Sequence, residues 1–186
     1  MKTNKIKLLI NTLIYLKPIQ IHYRIYYLIK NIFFRSFKHS DIDNPNLLIQ
    51  WKNYLKPNNS YSIVNQSFTF LNIEHQLSNK INWNENKYGK LWTYNLNYFD
   101  FLNQNEMTKE IGLNLILDYI KNDEILIDGK EPYPLSLRGI NWVKFLSKNQ
   151  INNSVINRTL NNHFKKLFKN IEYHLLGNHL LENAFS

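Results

Sequence analysis

Near the end of the chain Asn178 and His179 follow Gly177 directly, placing an amide and an imidazole side by side. A glycine there suits the left-handed residue that closes one helix, and Asn178 can cap the next. The pair is therefore expected on a tight helix-to-helix corner. Free backbone N–H groups and the positive end of a helix dipole favour an acidic group at such a corner. A structural use is the commoner one for such residues, with Asn178 as a plain cap and His179 as a half-buried turn residue. A second set, Arg138, Asn141, Trp142 and Phe145, repeats at offsets of three and four. On a helix this sets an Arg beside a Trp, a guanidinium to clamp a carboxylate or sulfate and a ring to stack on a sugar; the alternative is a surface ion pair. A third set is Tyr94, Asn95 and Tyr98, aromatic planes beside an amide. These suit sugar rings, which have an apolar face and a rim of hydroxyls, although an ordinary aromatic core helix would read the same way.

These groups need rigid elements behind them. Leu160, Phe164, Leu167, Phe168, Ile171 and Leu175 recur with the period of a buried helix face, predicting a helix that runs to Gly177 and a new one over 180–184. The stretch Ile140, Val143 and Leu146 predicts a helix from 133 onward with those residues toward the core and Arg138, Asn141, Trp142 and Phe145 on the other face. Residues 90–102 read as a helix with two aromatic stripes, and 106–122 as a helix apolar on two faces, the kind found in layered all-α folds. Residues 61–77 alternate rather than wind and predict a small antiparallel hairpin, with His75 as a polar edge residue. Toward the front, a helix over about 5–16 precedes Pro18, which opens a second one carrying Ile21, Ile25, Leu28, Ile29 and Ile32 on one stripe. Residues 38–60 are Asn- and Pro-rich and read as a connector holding a short helix around Leu47–Tyr54.

With 186 residues, 44% hydrophobic and 15% aromatic, the chain can bury one real core, so a single domain over 1–186 is expected. A formal charge of +9 calls for an anionic partner: nucleic acid, a membrane surface or an acidic polysaccharide. The absence of cysteine excludes disulfides, zinc-thiolate sites and thiol nucleophiles while leaving the compartment open. The first apolar run contains Asn11 and ends in Lys17-Pro18, so it fits neither a signal peptide nor a bilayer span. No stable membrane insertion is expected, and the default location is the cytoplasm. No His-Glu-x-x-His, glycine-rich phosphate loop or Gly-x-Ser-x-Gly elbow occurs, so no metal and no cofactor is expected. Lys and Arg are dispersed and match no nucleic-acid motif, which argues against nucleic acid as the partner.

Several motifs, in order along the chain, resemble the heparinase II/III-like and alginate-lyase-like polysaccharide lyases. They are Trp92-x-Tyr94-Asn95-Leu96-x-Tyr98-Phe99-Asp100, then Pro134-x-Ser136-x-Arg138-x-x-Asn141-Trp142, then Gly177-Asn178-His179-Leu180-Leu181-Glu182-Asn183-Ala184. The opening Leu16-x-Pro18-x-Gln20-Ile21-x-x-Arg24 also resembles lyase-like proteins of surface-polysaccharide gene clusters. Asn97 stands where the first motif commonly has His, and an amide cannot do acid–base work. The resemblance implies a mainly all-α fold, a partial α/α toroid with a small β-hairpin near 61–77. It implies an acidic polysaccharide as partner and substrate, cleaved by β-elimination at a uronic acid. It gives Asn178 and His179 catalytic roles, and Tyr94, Asn95, Tyr98, Arg138, Asn141 and Trp142 substrate-binding ones. A periplasmic location would also fit the family. The likeness runs from about residue 8 onward but covers only the front of such lyases, which continue into further toroid helices and a β-sandwich. The catalytic tyrosine of the family is not among these residues. The chain is accordingly expected to be truncated at its C-terminus, catalytically silent alone and marginally stable. A non-catalytic module for anionic glycans is the first alternative and a basic nucleic-acid-binding domain the second.

Overall fold

A computed structural model describes residues 7–8, 11–33, 59–76 and 80–186. The fold is mainly helical with one small antiparallel sheet, as the sequence predicts. In chain order the elements are α1 (Pro18–Phe33), β1 (Tyr61–Ser62), β2 (Ser67–Phe70), β3 (Ile73–Gln76), α2 (Lys90–Tyr98), α3 (Lys109–Lys121), α4 (Pro132–Lys148), α5 (Ser154–Lys169) and α6 (Gly177–Phe185), with 3₁₀ turns at Asp100–Asn103 and Asp123–Ile125. Residues 11–14 are also helical, within the front helix expected over about 5–16; the short helix expected at Leu47–Tyr54 lies outside the described residues. Among the described residues no helix is long and apolar enough to cross a membrane.

The hairpin expected at 61–77 is a three-stranded sheet of order β1-β2-β3. Phe68 faces Tyr61 on one side and His75 on the other, and the alternation puts Phe68 and Phe70 on the covered face, where Phe70 meets Trp92 edge to face.

The core is aromatic. Trp83 stacks on Phe99, and Phe99 in turn packs edge-on against Tyr119 and Trp142, joining α2, α3 and α4. α4 is the central helix, packed against α2, α5, α6 and the turn at Asp100–Asn103. Local signals start the helices around it: Thr108 accepts from the N–H of Ile111, and Asn153 accepts from those of Val155 and Ile156. Pro132 begins α4, where a missing N–H costs nothing.

Three elements end differently from the sequence expectation. α2 stops at Tyr98 rather than near 102, because buried Phe99 takes a left-handed backbone (φ 62) that turns its ring into the core. For a residue with a side chain that conformation costs about 1–2 kcal/mol, which the packing of its ring must offset. α5 ends at Lys169 instead of running to Leu175, since the Asn170 side chain donates to the Lys166 carbonyl and its N–H to that of Leu167. Phe168, expected on the buried face, lies within α5 and is 80% exposed. α4 is rotated from the expected orientation: Arg138, Asn141, Trp142 and Phe145 are buried, while Ile140 and Val143 are only partly covered. Two large rings bury more apolar area than two branched aliphatics, so that face wins the core.

Candidate functional site

Between α5 and α6 the chain makes a corner of irregular turns, 170–176, and enters α6 through Leu176 (φ 62) and Gly177 (φ 58). Gly177 does adopt the left-handed conformation expected of it, but it opens α6 rather than closing α5. Asn178 is not the cap. It lies in the first turn of α6, exposed, and α6 has no side-chain cap hydrogen bond.

The residue that organises the corner is Asn183, one turn further along α6 and 5% exposed. Its Oδ1 accepts from the Glu172 N–H at 2.9 Å, and its Nδ2 donates to Ser136 Oγ at 2.9 Å, which donates to the Pro132 carbonyl. One amide thus ties the corner to the start of α4. The Glu172 carboxylate, held beneath α6 by this bond, lies 3.1 Å from His179 Nδ1, and its side chain is 8% exposed against 37% for His179. A carboxylate only accepts, so Nδ1 carries the hydrogen and Nε2 of the neutral ring is left with a lone pair. Tyr133 packs on the imidazole with ring centroids 4.6 Å apart. The arrangement is an oriented base: a buried carboxylate fixes tautomer and ring angle, and the far nitrogen is available for a proton.

An aromatic row leads away from this pair. Tyr133 meets Tyr98, and Tyr98 meets Tyr94. Tyr94 Oη donates to Glu131 at 2.6 Å, and Lys90 bridges Glu131 and Asp128 at 2.8 and 3.1 Å. Burial first, and then the Glu131 bond, push the Tyr94 hydroxyl up to about 12, so it stays protonated and serves as a donor. Asn95 spends its amide on the Leu91 carbonyl of its own helix.

The remaining candidates are structural in position. Arg138 is fully buried and donates from Nη1 to the carbonyls of Asn97 (3.1 Å) and Gly129 (2.9 Å), with the guanidinium 4.7 Å from the Tyr119 ring. Burial pulls its pKa below the ordinary arginine value. Asn141 is buried, donating to the Tyr98 carbonyl and to Asp100 while accepting from Asn103. Trp142 is wholly buried. Arg138, Asn141 and Trp142, expected to touch a sugar, instead hold α2 and the Gly129 turn in place. Any influence they have on a ligand is exerted through the backbone they fix. His75 contacts Tyr88 Oη at 3.2 Å, away from the corner.

The structure thus leaves Asn178 exposed and His179 and Tyr94 partly exposed, joins His179 to Tyr94 through Tyr133 and buried Tyr98, and buries Arg138, Asn141 and Trp142. Sequence reasoning missed Glu172, Asn183, Ser136 and Tyr133. All four lie inside or beside the motifs that single out Asn178 and His179, and the signal available was a carboxylate seven residues before the histidine. Among the described residues no cluster of His, Asp or Glu could hold a metal ion. Comparison of the chain with family models, with curated proteins and with solved structures found no match.

Proposed function

We propose that this chain is an N-terminal, partial-toroid portion of a polysaccharide lyase that cleaves uronic-acid-containing chains by β-elimination, with His179 as the base. The observation that carries the reading is the pair of Glu172 and His179, 3.1 Å apart at the N-terminal turn of a helix. The hydrogen at C5 of a uronate is weakly acidic until the neighbouring carboxylate is neutralised. The side chain of Asn178 and the unpaired N–H groups of the first turn of α6 are donors for that carboxylate. Nε2 of His179 then takes the C5 proton, the electron pair moves toward the carboxylate, and on its return the bond from C4 to the glycosidic oxygen breaks. Consecutive residues on a helix point about 100° apart, so Asn178 can meet the carboxylate while His179 meets the adjacent carbon. Tyr94 and Tyr133, both partly exposed, offer ring edges to the sugar, with buried Tyr98 packed between them. The proton for the leaving oxygen comes, by the resemblance, from a tyrosine outside these residues.

A non-catalytic module for anionic glycans is the second reading, favoured by Asn97. Its amide donates to the carbonyls of Trp83 and Thr93, so it is a structural residue where the resembling motif commonly has His. Turnover separates the two. With the tyrosine-bearing part of the toroid supplied, alginate, heparin or hyaluronan should yield the ultraviolet absorbance of an unsaturated uronate, and Asn178→Ala should abolish it without unfolding the protein. Unchanged turnover in Asn178→Ala removes that residue from the mechanism.

A further inference from the structure

A groove of about 510 Å³ runs between α1 and the far side of the same corner. Tyr23, Tyr26, Phe168 and Tyr173 line it, together with His22 and Lys30. Its shape is set by a latch. Gln20 donates to the His174 carbonyl, Tyr27 to that of Ile171 and Lys30 to that of Lys169, so three side chains on one face of α1 bind the backbone of the corner. Tyr23 stacks on Tyr173 with centroids 4.7 Å apart and an interplanar angle of 26°. Two rings have no such cover: Tyr26 is 47% and Phe168 80% exposed. Large aromatics held open in one groove are costly in water unless something covers them. The groove is also one-signed. Among the described residues no carboxylate lines it, whereas the Lys30 ammonium lies 5.6 Å from the centroids of both Tyr26 and Tyr27, with two of its three hydrogens left for another acceptor.

We propose that this groove is a second saccharide subsite that takes an acidic sugar residue, its ring stacked on Tyr26 and Phe168 and its carboxylate on Lys30. The choice of sugar over another flat anion rests on the lyase reading above. Tyr173 directly follows Glu172, so one strand of backbone has the base-orienting carboxylate on one side and the groove on the other.

The test is titration of the whole chain with an alginate hexasaccharide, followed by calorimetry. Tyr26→Ala and Phe168→Ala should each weaken binding about tenfold, and Lys30→Gln should weaken it and flatten its salt dependence. Both aromatic positions are exposed, so the variants should keep wild-type circular dichroism. Maltohexaose, which has no carboxylate, should bind at least about tenfold more weakly than alginate. Wild-type affinity in both Tyr26→Ala and Phe168→Ala overturns the subsite. Equal binding of maltohexaose overturns the acidic-sugar assignment, and tighter binding of hexauridylate gives the groove to nucleic acid instead. Failure of the lyase reading is seen separately, as absence of His179-dependent exchange of the C5 hydrogen while alginate still binds through Tyr26 and Phe168.

Discussion

Replacing Asn183 by alanine should unlatch the corner that holds the candidate base. In the folded protein this amide accepts the Glu172 N–H and donates to Ser136 Oγ, both at 2.9 Å and both out of solvent. Alanine leaves the buried Glu172 N–H without an acceptor, at about 1–3 kcal/mol, and deletes one further hydrogen bond worth about 1 kcal/mol. The expected loss is about 2–4 kcal/mol, which at a urea dependence of about 2 kcal/mol per molar lowers the unfolding midpoint by about 1–2 M. Asn178→Ala is the matched control. Asn178 is exposed and no side chain caps α6, so its removal should change stability by no more than about 0.5 kcal/mol. Urea titration of both variants, followed by far-ultraviolet circular dichroism, decides the point. Equal midpoints for Asn183→Ala and wild type, or a larger loss in Asn178→Ala, would refute the placement of the latch.

Arg138→Ala should destabilise by about 2–5 kcal/mol or prevent folding, because the buried carbonyls of Asn97 and Gly129 lose the donor that satisfies them, at about 1–3 kcal/mol each; expression and thermal unfolding would show it. Gly129→Ala should cost about 1–3 kcal/mol, since Gly129 has φ 83 and an added Cβ would fall 2.6 Å from the Asn97 side chain. Burial, reinforced by Arg138 and Lys166, holds His163 well below its ordinary 6.5, and Asp123 at 4.0 Å does not reverse this. The unfolded chain then takes up a proton that the folded chain refuses, so this contribution is complete above about pH 6.5 and is lost as pH falls below it. The urea midpoint should drop between about pH 7.5 and about pH 5.5, and His163→Gln should flatten that drop.

The parts of the fold governed by local periodicity were readable in the sequence. Leu160, Phe164 and Leu167 define α5, Thr108 and Asn153 start helices where they stand, and the alternation around Phe68 and Phe70 marks the sheet. What could not be read depends on contacts between distant segments. Trp142 and Phe145 looked available for a ligand because helical spacing gives a stripe without saying which side faces inward; the rings of Phe99 and Tyr119 settle it. The left-handed turn at Phe99 has no glycine to announce it. Nothing near Asn183 in sequence announces its role, because its partner Ser136 is 47 residues away. The candidate site was half legible. His179 and Asn178 stood out by type and position, but the carboxylate that orients the imidazole appears only once α5 ends early and Glu172 turns beneath α6.

The measurement that bears most directly on the proposed chemistry is hydrogen exchange at C5 of a uronate, because it isolates proton abstraction from the leaving-group step. An alginate oligosaccharide incubated with the chain in deuterated buffer would be followed by the C5–H proton resonance. His179 acting as base would replace that hydrogen with deuterium, Glu172→Gln would slow the replacement by about 10²–10⁴-fold through loss of the oriented imidazole, and His179→Ala would abolish it. Exchange no faster than in buffer, or exchange unchanged in His179→Ala, would contradict the assignment of His179 as the base.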